Sequence, residues 1–209
     1  MPTSISTPRA ARSEWLLRAR PFSLALAAAF SVFALLIRFA PLPENFAMFG
    51  ALAMFCGVFL TGTARWLLPL LVLLVADCIG HFGNVPGMGF YNIPSMVLNY
   101  VGFAAFSAVG AGWSWWMQRR PMPAFAALAL LPLGILAGSA AFFAISNFGA
   151  WLDPRMGYDQ TVAGLGRCYW MGLPFWRSTL ASDLCFGIAF AAVAVVVGET
   201  LGRSIKSAA

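Results

Sequence analysis

Six apolar stretches succeed one another along the chain, at about 21–39, 46–61, 66–79, 93–117, 123–148 and 179–198, and the segments between them hold most of the charged residues. About 20 apolar residues in α-helix cross a bilayer hydrocarbon core. The pattern therefore predicts an all-α integral membrane protein of six transmembrane helices. The stretches at 46–61 and 66–79, with Arg65 between them, are short for a straight crossing and require tilt, local thinning or ends buried in protein.

Composition leaves little room for anything else. The 209 residues are 61% hydrophobic and 10% charged, whereas a soluble domain carries roughly 25% charged residues. No sizeable domain outside the membrane is expected. The formal net charge is +6; in a nucleic-acid binder such an excess forms a basic patch among polar residues, but here it reads as topology.

Six spans put both termini on one side. Arg9, Arg12, Arg18, Arg20, Arg65, Arg119, Arg120, Arg203 and Lys206 fall on that side, and Arg38, Arg155, Arg167 and Arg177 on the other. The excess of basic residues marks the cytoplasmic face, so N-in/C-in topology is expected. Glu14 and Glu199 accompany the basic majority; Glu44, Asp77, Asp153, Asp159 and Asp183 lie toward the outside. The Ser-, Thr-, Pro- and Arg-containing residues 1–12 read as a disordered cytoplasmic tail. Ala25-Leu26-Ala27 has the small-residue form of a signal cleavage site, but it opens the apolar run instead of closing it, which favours a retained first span.

The three outward connections are unequal. The first, about 40–45, is stiffened by Pro41 and Pro43, and the second, 81–92, has several Gly. The third, 149–178, far exceeds the median connection of about 4–6 residues. It carries Trp151, Tyr158, Tyr169, Trp170, Phe175 and Trp176. A segment that apolar is expected to be a long structured outer loop between helices 5 and 6, with a short helix near 161–171.

Few catalytic chemistries fit. His81 is the only histidine, and Cys56, Cys78, Cys168 and Cys185 have no CxxC or His-paired spacing, so no metal site or cofactor is expected and no disulfide is assigned. A triad or dyad would have to use His81, and neither a Gly-x-Ser-x-Gly elbow nor a Walker phosphate loop is present. The chain does not read as an enzyme. Any ATP-driven work would require another subunit to bind the nucleotide.

Ionisable residues at membrane depth are costly and mark functional sites by default. Arg38, Asp77 and Asp183 all fall in the outward half of their spans. Asn45, Asn92, Asn99 and Asn147 lie at span ends or inside spans, beside Tyr91 and Trp151. A few polar groups converging among aromatics is the usual make-up of a small-molecule site. The candidate substrate-binding set is Arg38, Asp77 and Asp183 for charge, Asn45 and Asn147 for hydrogen bonding, and Tyr91 and Trp151 for packing. The competing reading is that Arg38 pairs with Asp77 or Asp183 to lock helices.

Trp113, Trp115 and Trp116, just before Arg119 and Arg120, read as an interfacial aromatic belt. Small residues four apart, at Ala25 and Ala29, Ala53 and Gly57, and Gly134 and Gly138, permit close helix approach. Of these, Ala25 and Ala29 lie where a partner subunit could dock.

The six-span order, the AxxxA of the first span and the long outer loop resemble the substrate-binding S components of energy-coupling factor (ECF) vitamin transporters. More closely, the runs Arg38-Phe-Ala-Pro-Leu-Pro-Glu-Asn-Phe46, Gly50-Ala-Leu-Ala53, Ser146-Asn-Phe-Gly-Ala-Trp-Leu152 and Pro174-Phe-Trp-Arg-Ser-Thr179 resemble an uncharacterised family of proposed membrane transport proteins with that architecture. The resemblance covers roughly 38–183. It implies a bacterial inner-membrane protein that takes up a vitamin-like solute or a precursor. Substrate would be bound near the outer face, and the first helix, at Ala25 and Ala29, would meet a transmembrane coupling subunit driven by ATPases. No signature of a particular vitamin is present. The alternative is a structural or assembly subunit of a larger membrane complex, whose outer aromatic loop contacts protein.

Overall fold

A computed structural model describes residues 14–85, 88–120 and 122–208 of the chain. The expected disordered tail, 1–12, lies outside the described residues. Six α-helices follow in order: α1 (Glu14–Arg38), α2 (Phe49–Phe59), α3 (Ala64–Phe82), α4 (Ile93–Gln118), α5 (Ala124–Leu152) and α6 (Val162–Ala208), with a 3-10 turn at Pro154–Met156. No strand occurs among the described residues. All but α2 are long and apolar enough to cross a membrane, which makes this an all-α, multi-pass membrane protein.

The stretch expected as the second span is different in kind. It forms only 11 helical residues, Phe49–Phe59, every one of them buried. At 1.5 Å per residue α2 is about 16 Å long, roughly half of a 30 Å hydrocarbon core. Small residues let it sit inside the bundle: a methyl group on Gly57 would collide with the backbone of Ser107 and Gly110, and one on Gly110 would stand 2.7 Å from the Met54 carbonyl. The Ser107 hydroxyl donates to the Ala53 carbonyl at 3.2 Å, pinning α2 to α4. Phe59 meets Trp15 of α1 edge-on, and the carbonyl of Leu60 accepts from Arg65 at 2.8 Å, so the C-terminal end of α2 lies with the basic helix ends. Its N-terminal end stops at mid-bundle, where Gly50 abuts Phe106 of α4 and Asp183 of α6.

The last connection also departs from expectation. Only 153–161 lies between α5 and α6. The rest of the predicted 149–178 loop is helix, because α6 begins at Val162 and continues through Pro174 without interruption. The aromatics explain the packing. Tyr169 donates to the Ala144 carbonyl at 2.6 Å, Phe143 stacks on Trp176, and the Trp176 indole donates to the Ser139 hydroxyl at 3.2 Å. This half of α6 is thereby zipped along α5. The other half packs on α1, with Ala19 against Gly198 and the Phe30 and Phe190 rings stacked at 3.9 Å.

At the basic end, Arg18 and Glu199 form an ion pair at 3.0 Å that ties α1 to α6. Arg119 and Arg120 lie over the rings of Trp115 and Trp116. At the far end, Asn92 caps α4 by accepting from the Ser95 amide at 3.2 Å, which is the ordinary work of an Asn at that position.

Candidate functional site

A short α2 leaves space above it. Where a full-length helix would continue, the chain instead runs as the 39–48 connection, with Asn45 in the left-handed region at φ 60°, a conformation Asn tolerates better than most residues. Its carbonyl accepts from the Thr179 hydroxyl of α6 at 3.3 Å. The result is a cavity of about 310 Å³ over the N-terminus of α2. Phe49 and Gly50 form its base, and Leu73 and Asp77 of α3, Asn99 and Phe103 of α4, and Phe142 of α5 its walls. Met88, Gly89 and Tyr91 of the α3–α4 connection contribute the remaining side. That connection is seated firmly: Gly89, at φ 96°, lies against the backbone of His81, where no side chain would fit.

Five of the seven sequence-predicted residues, Arg38, Asn45, Asp77, Tyr91 and Asp183, line this one cavity. Asn147 lies in an adjoining cleft of about 310 Å³ between α5 and α6, which shares Asn45, Asn99, Phe142 and Thr179 with the first. The Asn147 amide donates to the Phe143 carbonyl of its own helix at 2.9 Å. Trp151 lines neither space. Its indole donates to the Asp159 carbonyl at 2.8 Å and its carbonyl accepts from Gln160, so it braces the 153–161 connection. Ala25 and Ala29 are exposed on α1.

Arg38 and Asp77 feel each other's charge across the cavity, with Tyr91 between the same influences. They form no ion pair with each other, however, unlike Arg18 with Glu199 and Arg155 with Asp153. Asp77 instead accepts from the Tyr100 hydroxyl at 2.7 Å. Asp183 is fully buried, and neither of its carboxylate oxygens has a hydrogen-bond partner. Both features place unspent polar capacity around one space. Among the described residues no cluster of His, Cys, Asp and Glu could hold a metal ion, and all four cysteines are unpaired.

Several lining residues carried no decisive signal in the sequence. Phe49, Phe103 and Phe142 are three of 19 phenylalanines, and nothing in the spacing separates them from ordinary core or lipid-facing rings. Asn99 was legible as a polar group inside an apolar run. Thr179, by contrast, stood at the predicted start of a span and becomes a mid-helix residue only once α6 is seen to begin at Val162.

Comparison with known proteins gives one family-level match: residues 19–204 fit the model of a family of unknown function, DUF6580. No curated protein and no solved structure matches the chain.

Proposed function

The chain belongs to DUF6580, and from the geometry of this member we propose a membrane solute-uptake protein that binds a small molecule in the cavity over α2, after the manner of an ECF S component. The observation that carries this reading is that Arg38 and Asp77 face one cavity without neutralising each other. A helix-locking pair would be joined directly, whereas a binding site keeps its charges apart for a ligand to meet. The mixture of charged, amide and aromatic groups around a space of about 310 Å³ is the make-up of a small-molecule site. The Lys/Arg distribution supports a cavity on the extracytoplasmic side with both termini in the cytoplasm, and the likeness to S components favours a bacterial inner membrane. The exposed Ala25 and Ala29 would then meet a coupling subunit and its ATPases. A vitamin or a vitamin precursor is the solute class to examine first.

The test is mass spectrometry of small molecules that co-purify with the protein from its native membrane, comparing wild type with Arg38→Ala and Asp77→Ala. A stoichiometric compound retained by wild type is expected to be lost from both variants. Removal of one charged contact is worth roughly 1.5–3 kcal/mol, or about ten- to hundredfold in affinity. Retention of the compound by both variants, with stability alone reduced, would make the two residues structural.

One observation favours the assembly-subunit reading. Between α3 and α4 lies a lateral apolar groove of about 570 Å³, lined by Leu70, Ile93, Val97, Tyr100 and Val101. A helix of a partner protein would fit such a surface. Recovery of stoichiometric membrane partners other than a coupling subunit and ATPases, with no bound compound, would favour that reading.

A further inference from the structure

Asp183 is the feature the uptake reading explains least. It is 0% exposed, both carboxylate oxygens lack a hydrogen-bond partner, and it forms part of the wall at the base of the cavity. A buried carboxylate left unpaired is costly, so a partner is to be sought in what the cavity receives. Arg38 does not fill the role: its charge acts on Asp77 and Tyr91, whereas the donors nearest Asp183 are the Ser139 hydroxyl and the Ala51 amide, and neither reaches it with hydrogen-bond geometry. The first turn of α2 lies beside Asp183, and its amide ends favour a negative charge there, but no capping hydrogen bond forms. Three charged side chains line the cavity, one cation and two carboxylates. The lining thus sums to one net negative charge, and of its two carboxylates Asp77 accepts from Tyr100 while Asp183, at the floor, accepts nothing within hydrogen-bond geometry.

Resting on the uptake reading above, we infer that the ligand is an organic amine whose protonated nitrogen is received by Asp183 and whose apolar body lies among Phe49, Phe103 and Phe142. The nitrogen supplies N–H donors to a carboxylate whose oxygens accept no hydrogen bond of good geometry. The rings suit the same ligand, since aromatic faces attract cations and pack against apolar groups alike. Phe103 and Phe142 approach to 4.4 Å between centroids and Phe49 meets Phe103 edge-on, so the three form one continuous aromatic wall. Gly50 is part of the design, because a methyl group there would overlap the Asp183 carboxylate and the Phe106 ring.

The experiment uses the full chain in detergent and three probes of similar shape and different charge: phenethylamine, 2-phenylethanol and 3-phenylpropionate, titrated by calorimetry. Phenethylamine is expected to bind at least tenfold more tightly than the other two. Asp183→Asn is expected to remove that preference by weakening the amine at least tenfold relative to the alcohol. The wild-type ranking stands as a test by itself should the variant fail to fold. Equal binding of amine and alcohol, tighter binding of the carboxylate, or no binding of phenethylamine at millimolar concentration overturns the inference. So does an Asp183→Asn protein that melts earlier yet binds the amine unchanged, since Asp183 would then only support α2. A co-purifying compound that lacks basic nitrogen but is lost in Arg38→Ala and Asp77→Ala would sink the amine assignment and leave the uptake reading standing.

Discussion

At the scale of single residues, polar groups in this protein divide into those whose bonding is complete and those left open. Asp153 is of the first kind. Its carboxylate accepts from the Arg155 amide and Nε, each at 3.0 Å, and from Nη2 at 2.7 Å, closing the turn after α5. These Arg155 contacts hold the Asp153 carboxyl below the ordinary carboxylate range. In an opened connection the group titrates near its usual value, about 3.9. The folded turn therefore binds the proton less well than the open one. Its contribution is complete above the usual value and is lost as pH falls through the lower, folded one. Hydrogen exchange across 153–161, corrected for intrinsic rates, should stay slow from pH 7 to 5 and quicken below about pH 4, a window set by that linkage. Asp153→Asn should exchange faster throughout, and an unchanged wild-type profile at pH 3 would show that the pair does not hold the turn. Arg38, Asp77 and Asp183 are of the second kind, and their open valences bound the cavity.

At the scale of elements, small residues decide how closely helices approach. A side chain at Gly110 would press on the Met54 carbonyl and the Gly57 backbone, whereas one at Gly112 meets nothing within 4 Å. Gly110→Val is expected to cost at least about 1–3 kcal/mol through overpacking, read as an earlier thermal transition in detergent. Gly112→Ala should leave the transition in place; equal effects would remove the packing argument. The same contrast explains what the sequence could show. Apolar runs marked where helices lie, because helix burial and bilayer burial both require them. They could not reveal that the run at 46–61 contains a helix of only 11 residues, since a half-length buried helix and a short span are equally apolar. Nor could they join 161–178 to the last helix: Arg167, Pro174 and Arg177 interrupt the hydropathy, while the contacts that continue the helix, from Tyr169 to Ala144 and from Trp176 to Ser139, come from α5. Charges at membrane depth were the legible part of the site. The aromatic wall was not, because its three rings come from α2, α4 and α5 and meet only in the folded molecule.

At the scale of the whole molecule, the basic residues Arg18, Arg20, Arg65, Arg119 and Arg120 gather at one end of the bundle and the cavity opens toward the other. The proposed orientation is checked by single cysteines at Gln118 and Gln160 in a chain without its own four. A membrane-impermeant maleimide applied to intact spheroplasts should label Gln160→Cys and spare Gln118→Cys. The reverse pattern would place the cavity in the cytoplasm and remove solute capture from outside. The helices of this bundle also differ in reach. α1 has 25 residues and α6 has 47, or about 38 Å against 70 Å along their axes. The surplus of α6 presents apolar side chains beside Arg167: Val162 is 89% exposed and Trp170 73%. Lipids around the protein thus meet a tall wall on one flank and a low one on the other, and mismatch of this kind is relieved by tilt or by local change in bilayer thickness. Because Arg38 ends α1 and lines the cavity, a lean that settled α6 in the membrane would also change the depth of Arg38, and the cavity mouth would then respond to the thickness of the surrounding lipid.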